Sequence, residues 1–166
     1  PKQNGVKDFM HYGYIPADAV KEATSIQLEY AADDMGTALM AKKMGRMDVY
    51  HTFLKRALSY QTIFDSKINK IHPKMKDGSW YEPYDPFLAN ERDGVGDFCE
   101  GNGWQYTFMV PQDPDGLIKA HGGDAAFVKN IDELFVAEGD LGEGAPPDVS
   151  GMVGQYAHGN EPNHHT

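Results

Sequence analysis

Apolar side chains recur at helical spacing in two stretches of the first half of the chain. The first stretch is predicted to begin at Thr24, an N-cap that would form a capping box with Gln27, and to end at Gly45 in a left-handed cap. The second runs from about Met47 to Phe64 and carries an aromatic stripe at the spacing of a core-facing helix. Because the link between them is very short, the two helices are expected to pack antiparallel as a helical hairpin.

The pattern of the second half predicts shorter helices joined by loops. Residues 65–97 contain three prolines and four large aromatic residues, and these predict a long, ordered connection without a long helix. Within it, Glu82 and Asp85 are candidate pocket residues, with a structural clamp of the loop as the alternative. Short helices are predicted at about 115–121 and 125–136, the second with its apolar side chains on an inner face.

One stretch, residues 98–113, places a carboxylate among aromatic rings. Glu100 has Phe98 and Trp104 nearby in the sequence, and the glycines after it free the backbone to bend. A carboxyl group in apolar surroundings keeps its proton longer, because desolvation penalises the charged form, and it is then suited to general acid catalysis. Aromatic rings beside an acid also match a sugar-binding pocket. The alternative is a buried, hydrogen-bonded Glu in the turn that starts a helix.

Polar and imidazole side chains cluster near the end of the chain. They are His158, Asn160, Glu161, Asn163, His164 and His165. Their spacing fits no standard zinc set and the HExxH pattern is absent, whereas the oxygen atoms of Asn160 and Glu161 suit a hard ion such as calcium. The imidazoles and amides are equally suited to bind sugar hydroxyls. A polar capping network is the alternative.

Composition narrows the possible partners. The chain has 166 residues, enough for one domain with a real core, and a formal net charge of -10. This charge argues against nucleic acid or an anionic membrane surface as a partner, since both need a basic face, and is compatible with a neutral ligand such as a sugar. The single cysteine, Cys99, excludes an internal disulfide and a CxxC metal site. No apolar run approaches ~18 residues, so no membrane span is expected.

Two longer motifs are specific: Glu-Gly-Asn-Gly-Trp-Gln-Tyr at residues 100–106, and the stretch at 147–165. With them, the chain resembles glycoside hydrolase family 92, the calcium-dependent exo-acting α-mannosidases. Shorter matching segments, in the order of the family, lie at 12–18, 28–34, 53–56, 77–80, 82–86 and 110–113. Ala32, Met35 and Gly103 depart from the family pattern at positions that affect packing more than chemistry.

The resemblance implies an all-α fold, part of an (α/α)6 toroid catalytic domain built of helical hairpins. It implies that residues 1–166 are an internal fragment of one such domain, without the β-sandwich that normally precedes it and without the C-terminal part of the toroid. The expected activity is inverting hydrolysis of mannose from glycans such as high-mannose N-glycans, with the α-1,2 linkage as the default. A secreted, periplasmic or cell-surface location goes with this activity.

The resemblance also assigns roles to residues. Glu100 matches the general acid of the family, and the general base is an Asp in a segment beyond Thr166. The calcium ion of the family lies under the sugar, and Asn160 and Glu161 are expected at or near that site. The further candidates for substrate binding are Trp80, Trp104, Gln105, His158, His164 and His165.

The four or five helices predicted here cannot close a toroid of six helical hairpins. We therefore expect the isolated chain to expose apolar faces meant for the remainder of the parent chain and to be inactive alone. Substantial calcium-dependent turnover of an α-mannoside by the purified chain would contradict this expectation. Two other hypotheses stay open: a non-catalytic carbohydrate-binding or pseudo-enzyme helical module, and a helical structural domain with a metal-stabilised C-terminal cluster.

Overall fold

The computed structural model describes residues 4–89 and 97–166, and most of its regular structure is helical. The helices are α1 (Val6–Tyr12), α2 (Ala23–Lys43), α3 (Met47–Ala57), α4 (Gly103–Tyr106), α5 (Pro114–Ala120) and α6 (Asp124–Leu134). Short antiparallel strands pair in two places: β1 (Phe64–Asp65) with β2 (Lys70–Ile71), and β3 (Met152–Val153) with β4 (Tyr156–Ala157). Short 3₁₀ turns lie at Ser59–Thr62 and Glu161–Asn163.

Helices α2 and α3 form the predicted hairpin. Gly45, at a φ of 72°, turns the chain between them. Near this turn, Lys42 Nζ lies 5.2 Å from the centroid of the Tyr50 ring. Further from the turn, Arg56 Nε donates to Asp34 Oδ2 at 2.7 Å. The middle of α2 therefore faces the end of α3, and the antiparallel arrangement is confirmed.

The start of α2 differs from the prediction. The helix begins at Ala23, and its N-cap Glu22 has a φ of 59° and no side-chain capping bond, so the predicted capping box is wrong. The Gln27 side chain is instead fully buried. Its Oε1 accepts from the Ile15 N–H at 2.9 Å, and its Nε2 donates to Ser59 O at 3.2 Å. An amide left unpaired in the core would cost more than the loss of a local cap, so the long-range contacts prevail.

Helix α3 ends at Ala57 rather than at Phe64. Gln112 Nε2 donates to Ala57 O at 3.1 Å, and the His72 N–H donates to Ile63 O at 2.8 Å. Carbonyl groups that a longer helix would use are therefore paired with other segments. The chain continues as a 3₁₀ turn and then as β1.

Residues 65–89 form the predicted connection, and they contain no helix. Its centre is His72, which is buried and stacks between the rings of Trp80 and Tyr84 at centroid distances of 4.9 and 4.4 Å. The imidazole Nδ1 lies 3.2 Å from Asp65 Oδ2, and Nε2 lies 2.9 Å from a backbone carbonyl oxygen. Ring stacking and these polar contacts explain why so long a loop is ordered.

The two pocket candidates of this connection, Glu82 and Asp85, cap turns. Both side chains are exposed. Glu82 Oε2 accepts from the Tyr84 N–H at 3.1 Å, and Asp85 Oδ1 accepts from the Phe87 N–H at 3.0 Å. These contacts favour the structural alternative, a clamp of the loop. The last part of the predicted connection, residues 90–96, lies outside the described residues.

Helix α6 presents a narrower inner face than predicted. Leu134 is fully buried, and Phe127 and Ile131 pack against the same core. Val128 is 54% exposed and Phe135 is 37% exposed, so neither belongs to the buried face. The helix also ends at Leu134, two residues earlier than expected. The helical period places Phe127, Ile131 and Leu134 on one side, and Val128 falls outside that arc.

The main hydrophobic core joins the connection to the helices of the second half. Its buried members include Tyr60, Ile71, Tyr106, Phe108 and Leu134. At the turn end of the α2–α3 hairpin, by contrast, large apolar side chains are exposed: Leu39, Met40, Met44 and Met47. That these side chains meet further helices of the parent chain stays a prediction. Of the helices in the described ranges, none has both the length and the apolar character needed to cross a bilayer.

Replacing Gln27 by Leu should lower the free energy of unfolding by about 1–3 kcal/mol, because the Ile15 N–H then loses its buried acceptor. Chemical denaturation followed by circular dichroism measures this change. The matched control is Lys43→Leu at the exposed end of the same helix, expected to change stability by less than about 0.5 kcal/mol. Unchanged stability of the Gln27→Leu protein would contradict the bridging role of this side chain.

Candidate active site

Glu100 lies in a constrained turn just before α4. Its φ of 51° is in the left-handed region, where a non-glycine residue is strained by about 1–3 kcal/mol. The next residue must be glycine, since a Cβ at Gly101 would lie 2.8 Å from Gln105 Oε1 and 2.8 Å from the Tyr106 ring. Such a conformation persists only where contacts with the surrounding structure hold it in place.

Three hydrogen bonds fix the backbone of the Glu100 turn. The Cys99 N–H donates to Ser25 Oγ at 2.6 Å, and the Tyr106 hydroxyl donates to Cys99 O at 2.6 Å. On the other side, Asn160 Nδ2 donates to Glu100 O at 2.5 Å. Helix α2, helix α4 and the C-terminal segment thus each contribute one contact to the Glu100 turn.

Asn102 and Gln105 form a complete capping box at the start of α4. Asn102 Oδ1 accepts from the Gln105 N–H at 3.2 Å, and Gln105 Oε1 accepts from the Asn102 N–H at 3.1 Å. Gln105 Nε2 donates to Gln155 O at 3.0 Å, and the side chain is 1% exposed. Both polar ends of Gln105 are therefore paired within the protein. Its role in substrate binding stays a prediction.

Glu100 borders a cavity of about 290 Å³. The cavity walls are mixed in character, and the residues that line it are Glu22, Ser25, Ile26, Glu29, Tyr30, Cys99, Glu100 and Tyr106. Burial raises the pKa of the Tyr106 hydroxyl, so this group remains a proton donor. The environment of Glu100 is thus less apolar than its sequence neighbours suggest, because α2 brings two further carboxylates to the cavity.

Glu29 is a residue of this cavity that the sequence did not identify. Partial burial raises the pKa of its carboxyl, and the nearby negative charge of Asp33 raises it further. The signal in the sequence was weak, since Glu29 is one of several acids on a long helix whose apolar side chains do not gather on one face. Only the packing of α2 against the Glu100 turn places Glu29 and Glu100 at one cavity.

The two tryptophan candidates lie away from the Glu100 cavity. Trp104 lines a separate cavity of about 450 Å³, where Lys70 Nζ lies 3.9 Å from the centroid of one ring of the indole. Burial lowers the pKa of the Lys70 ammonium to about 8. Trp80 stacks on His72 within the connection. The structure therefore does not bring Trp80 and Trp104 to the walls of the Glu100 cavity.

The C-terminal cluster contains buried amide atoms that have no hydrogen-bond partner among the described residues. Asn160 is 1% exposed and Asn163 is 0% exposed. Within the described residues, Asn160 Oδ1 and both polar side-chain atoms of Asn163 have no hydrogen-bond partner. Glu161, between them in sequence, is exposed. Because buried polar atoms are nearly always paired, these amides point to an absent ion, ligand or protein segment.

The three histidine candidates contact the backbone or each other. The rings of His158 and His164 lie 5.8 Å apart, and His164 Nε2 lies 3.0 Å from His158 O. His165 Nε2 lies 2.6 Å from Phe108 O, and partial burial lowers the pKa of its imidazole. Across residues 4–89 and 97–166, no three His, Cys, Asp or Glu side chains form a group suited to a metal.

Asp97 is a buried carboxyl group three residues before Glu100. Its backbone oxygen accepts hydrogen bonds from the N–H and the hydroxyl of Ser25, at 3.2 and 3.3 Å. The side chain is buried, and desolvation raises its pKa to about 7. Asp97 therefore makes the stability of this region dependent on pH.

A helical fold that holds a carboxylate at a cavity is compatible with a helical glycosidase domain. Residues 1–166 match the model of the glycosyl hydrolase family 92 catalytic domain, and the chain belongs to this family. The resemblance seen in the sequence is confirmed. The predicted fold class is also confirmed: the chain is mostly helical and matches structures whose catalytic domain is an (α/α)6 toroid.

Solved structures of the same family match nearly all of this chain. A family GH92 α-mannosidase from Bacteroides thetaiotaomicron, in complex with mannoimidazole, is 40% identical over 98% of the chain, with a TM-score of 0.87. A family GH92 inverting mannosidase from Bacteroides thetaiotaomicron VPI-5482 is 31% identical over 96% of the chain, with a TM-score of 0.77. The chain spans 22% of the length of each of these two proteins. No match was found among curated protein sequences.

The variant Asp97→Asn should change how stability depends on pH. Because the folded carboxyl has a pKa of about 7 and the unfolded one a pKa of about 4, only the unfolded chain loses this proton between these values. Wild-type stability should therefore fall relative to the variant from pH 4 to pH 7, by up to about 4 kcal/mol, and level off above. Denaturation curves at pH 4, 6 and 8 measure this difference. Asp132→Asn on the exposed face of α6 is the control; equal pH dependence of the Asp97→Asn protein and the wild type would contradict the burial argument.

Proposed function

We propose that this chain is part of the catalytic domain of an exo-acting, inverting α-mannosidase, and that Glu100 is its general acid. The observation that carries the proposal is the constrained Glu100 turn. A strained backbone at φ 51° is fixed by hydrogen bonds from three elements and presents its residue at a cavity. Strain of this kind collects at functional sites, where a group must be held in one position. Family membership supports glycoside hydrolysis as the chemistry of the domain.

In an inverting mechanism two carboxyl groups act from opposite sides of the sugar. The acid protonates the oxygen of the leaving group, the base activates a water molecule, and the two carboxyl groups lie about 6.5–9.5 Å apart. We assign the first step to Glu100. The base is expected in a segment beyond Thr166, in the part of the catalytic domain that this chain does not include. For this reason we expect the isolated chain to be inactive.

The proposed substrate is a mannose-containing oligosaccharide or N-glycan, with an α-1,2 linkage as the default. The mannoimidazole complex of the related α-mannosidase supports mannose as the sugar. His158, His164 and His165 lie in the same C-terminal segment as Asn160, which contacts the Glu100 turn, and are proposed to bind hydroxyl groups. Trp80 and Trp104 lie away from the cavity, so in this proposal they contact sugar units distant from the cleaved bond. A secreted, periplasmic or cell-surface location is proposed with this substrate.

We propose a calcium ion near Asn160 and Glu161. Oxygen ligands suit this ion, and Asn160 Oδ1 is a buried oxygen without a hydrogen-bond partner in the described part of the chain. Asn163 Oδ1 is also buried without a hydrogen-bond partner in the described part of the chain, so it is a third possible ligand. Calcium would bind the vicinal hydroxyls of the sugar and help to distort its ring. Since Asn160 also donates to Glu100 O, the proposed ion lies close to the proposed acid.

A non-catalytic carbohydrate-binding or pseudo-enzyme module is the alternative function. It would keep the cavity and the C-terminal cluster but lack the base. The pairing of both polar ends of Gln105 inside the protein fits either function. The two proposals differ in the effect of Glu100, which matters for turnover in the first and only for binding in the second.

Glu100→Gln in the full-length protein should reduce kcat/KM about 10²-fold or more on an α-mannoside with a poor leaving group. On a mannoside with an activated leaving group the loss should be much smaller, because that oxygen departs without a proton. Steady-state kinetics on the two substrates measure the ratio. Glu138→Gln, an exposed loop variant, is the control. Equal rates of the Glu100→Gln and wild-type enzymes on both substrates would remove Glu100 from the mechanism.

Removal of calcium with a chelator should abolish activity of the full-length protein, and added calcium should restore it. Glu161→Gln removes one negative charge from the proposed ligand set, so the calcium concentration for half-maximal activity should rise about tenfold or more. A calcium titration followed by activity and by thermal unfolding measures this. The matched control Glu143→Gln carries the same change in an exposed loop. Indistinguishable titrations of the Glu161→Gln and control proteins would exclude Glu161 as a ligand.

A further inference from the structure

The C-terminal segment contacts the Glu100 turn at two points. Asn160 Nδ2 donates to Glu100 O at 2.5 Å, which fixes the turn directly. Two residues beyond Glu100, Asn102 Nδ2 donates to Gln155 Oε1 at 2.8 Å. Gln155 O also accepts from Gln105 Nε2 at 3.0 Å. The side chain of Gln155 is therefore bonded to Asn102, and its backbone carbonyl is bonded to Gln105, the other member of the capping box that follows Glu100.

Gln155 is itself firmly attached to the core. It lies in the turn between β3 and β4 and is 2% exposed. Its N–H donates to Leu134 O at 2.7 Å, at the end of α6. The preceding Gly154, at a φ of 57°, approaches α6 so closely that a Cβ there would lie 2.4 Å from the carbonyl carbon of Phe135. The β3–β4 turn is thus a fixed point from which Gln155 can set the position of another loop.

Asn102 transmits this position to Glu100. Besides Gln155, Asn102 Nδ2 bonds to Phe87 O at 3.0 Å, while its Oδ1 accepts from the Trp104 and Gln105 N–H groups. Asn102 is 0% exposed, so an unpaired Nδ2 proton would be costly and the loop would shift to regain a partner. Only Gly101 separates Asn102 from Glu100. A shift of the capping box would therefore move the Glu100 carboxyl.

We propose that Gln155 is a positioning residue for the general acid: through its hydrogen bonds to Asn102 and Gln105 it sets the orientation of the Glu100 turn. This proposal rests on the proposed function of Glu100. Gln155 touches neither the cavity beside Glu100 nor any residue assigned to substrate binding except the buried Gln105. Its effect on catalysis would therefore pass through the placement of the acid.

The test compares Gln155→Met with the wild type in the full-length protein, on the two mannosides described above. Met has a similar length but offers no strong acceptor to Asn102 Nδ2. A misplaced acid impairs the substrate that needs a proton more than the one that does not. We expect the loss in kcat/KM to be about tenfold or more greater on the poor leaving group than on the activated one.

Gln112→Met is the matched control, because it also removes a glutamine that is hydrogen-bonded within the protein, one that bonds to Ala57 O and not to the Glu100 turn. It should lower thermal stability and leave the ratio between the two substrates unchanged. If Gln155→Met lowers both rates equally, as a merely structural change would, the positioning role is overturned while Glu100 keeps its role. If Glu100→Gln itself shows no dependence on the leaving group, the acid assignment fails, and the positioning role fails with it.

Discussion

The pairing of buried amide side chains is the interaction on which the Glu100 turn depends. Asn102, Gln105, Gln155 and Asn160 are all at most 2% exposed, and each is bonded to the turn or to its neighbours. A buried amide without a partner is expensive, so these side chains admit few alternative arrangements. This constraint balances the strain of a left-handed φ at Glu100 and ties the C-terminal segment to the start of α4.

The same rule identifies buried polar atoms in the C-terminal segment that lack a hydrogen-bond partner among the described residues. Asn160 and Asn163 keep polar atoms that nothing in the described residues satisfies, although their neighbours a few residues away are fully paired. An ion, a sugar hydroxyl or a further segment of the catalytic domain would satisfy them. The buried amides near the Glu100 turn thus divide into those that are paired within the described residues and those that keep unpaired atoms.

The acidic residues near the Glu100 turn differ in how far they are removed from water. Asp97 is taken out of water and holds its proton to about pH 7, whereas Glu100 borders an open cavity. Glu29 reaches that cavity from α2 and has its own raised pKa. Both shifts come mainly from desolvation, which penalises the charged form of a carboxyl group. Because Glu29 belongs to α2, its environment depends on how α2 packs against the turn.

From the amino-acid pattern alone we could predict the family, the helical hairpin of α2 and α3 and the loop character of residues 65–89, because these follow from local periodicity, prolines and two specific motifs. Contacts in three dimensions establish that Gln27 bridges segments instead of capping a helix, that α3 stops at Ala57, and that Glu29 shares the cavity of Glu100. They also place Trp80 and Trp104 away from that cavity. These features depend on contacts between residues far apart in the chain, and no local pattern specifies which buried polar group pairs with which.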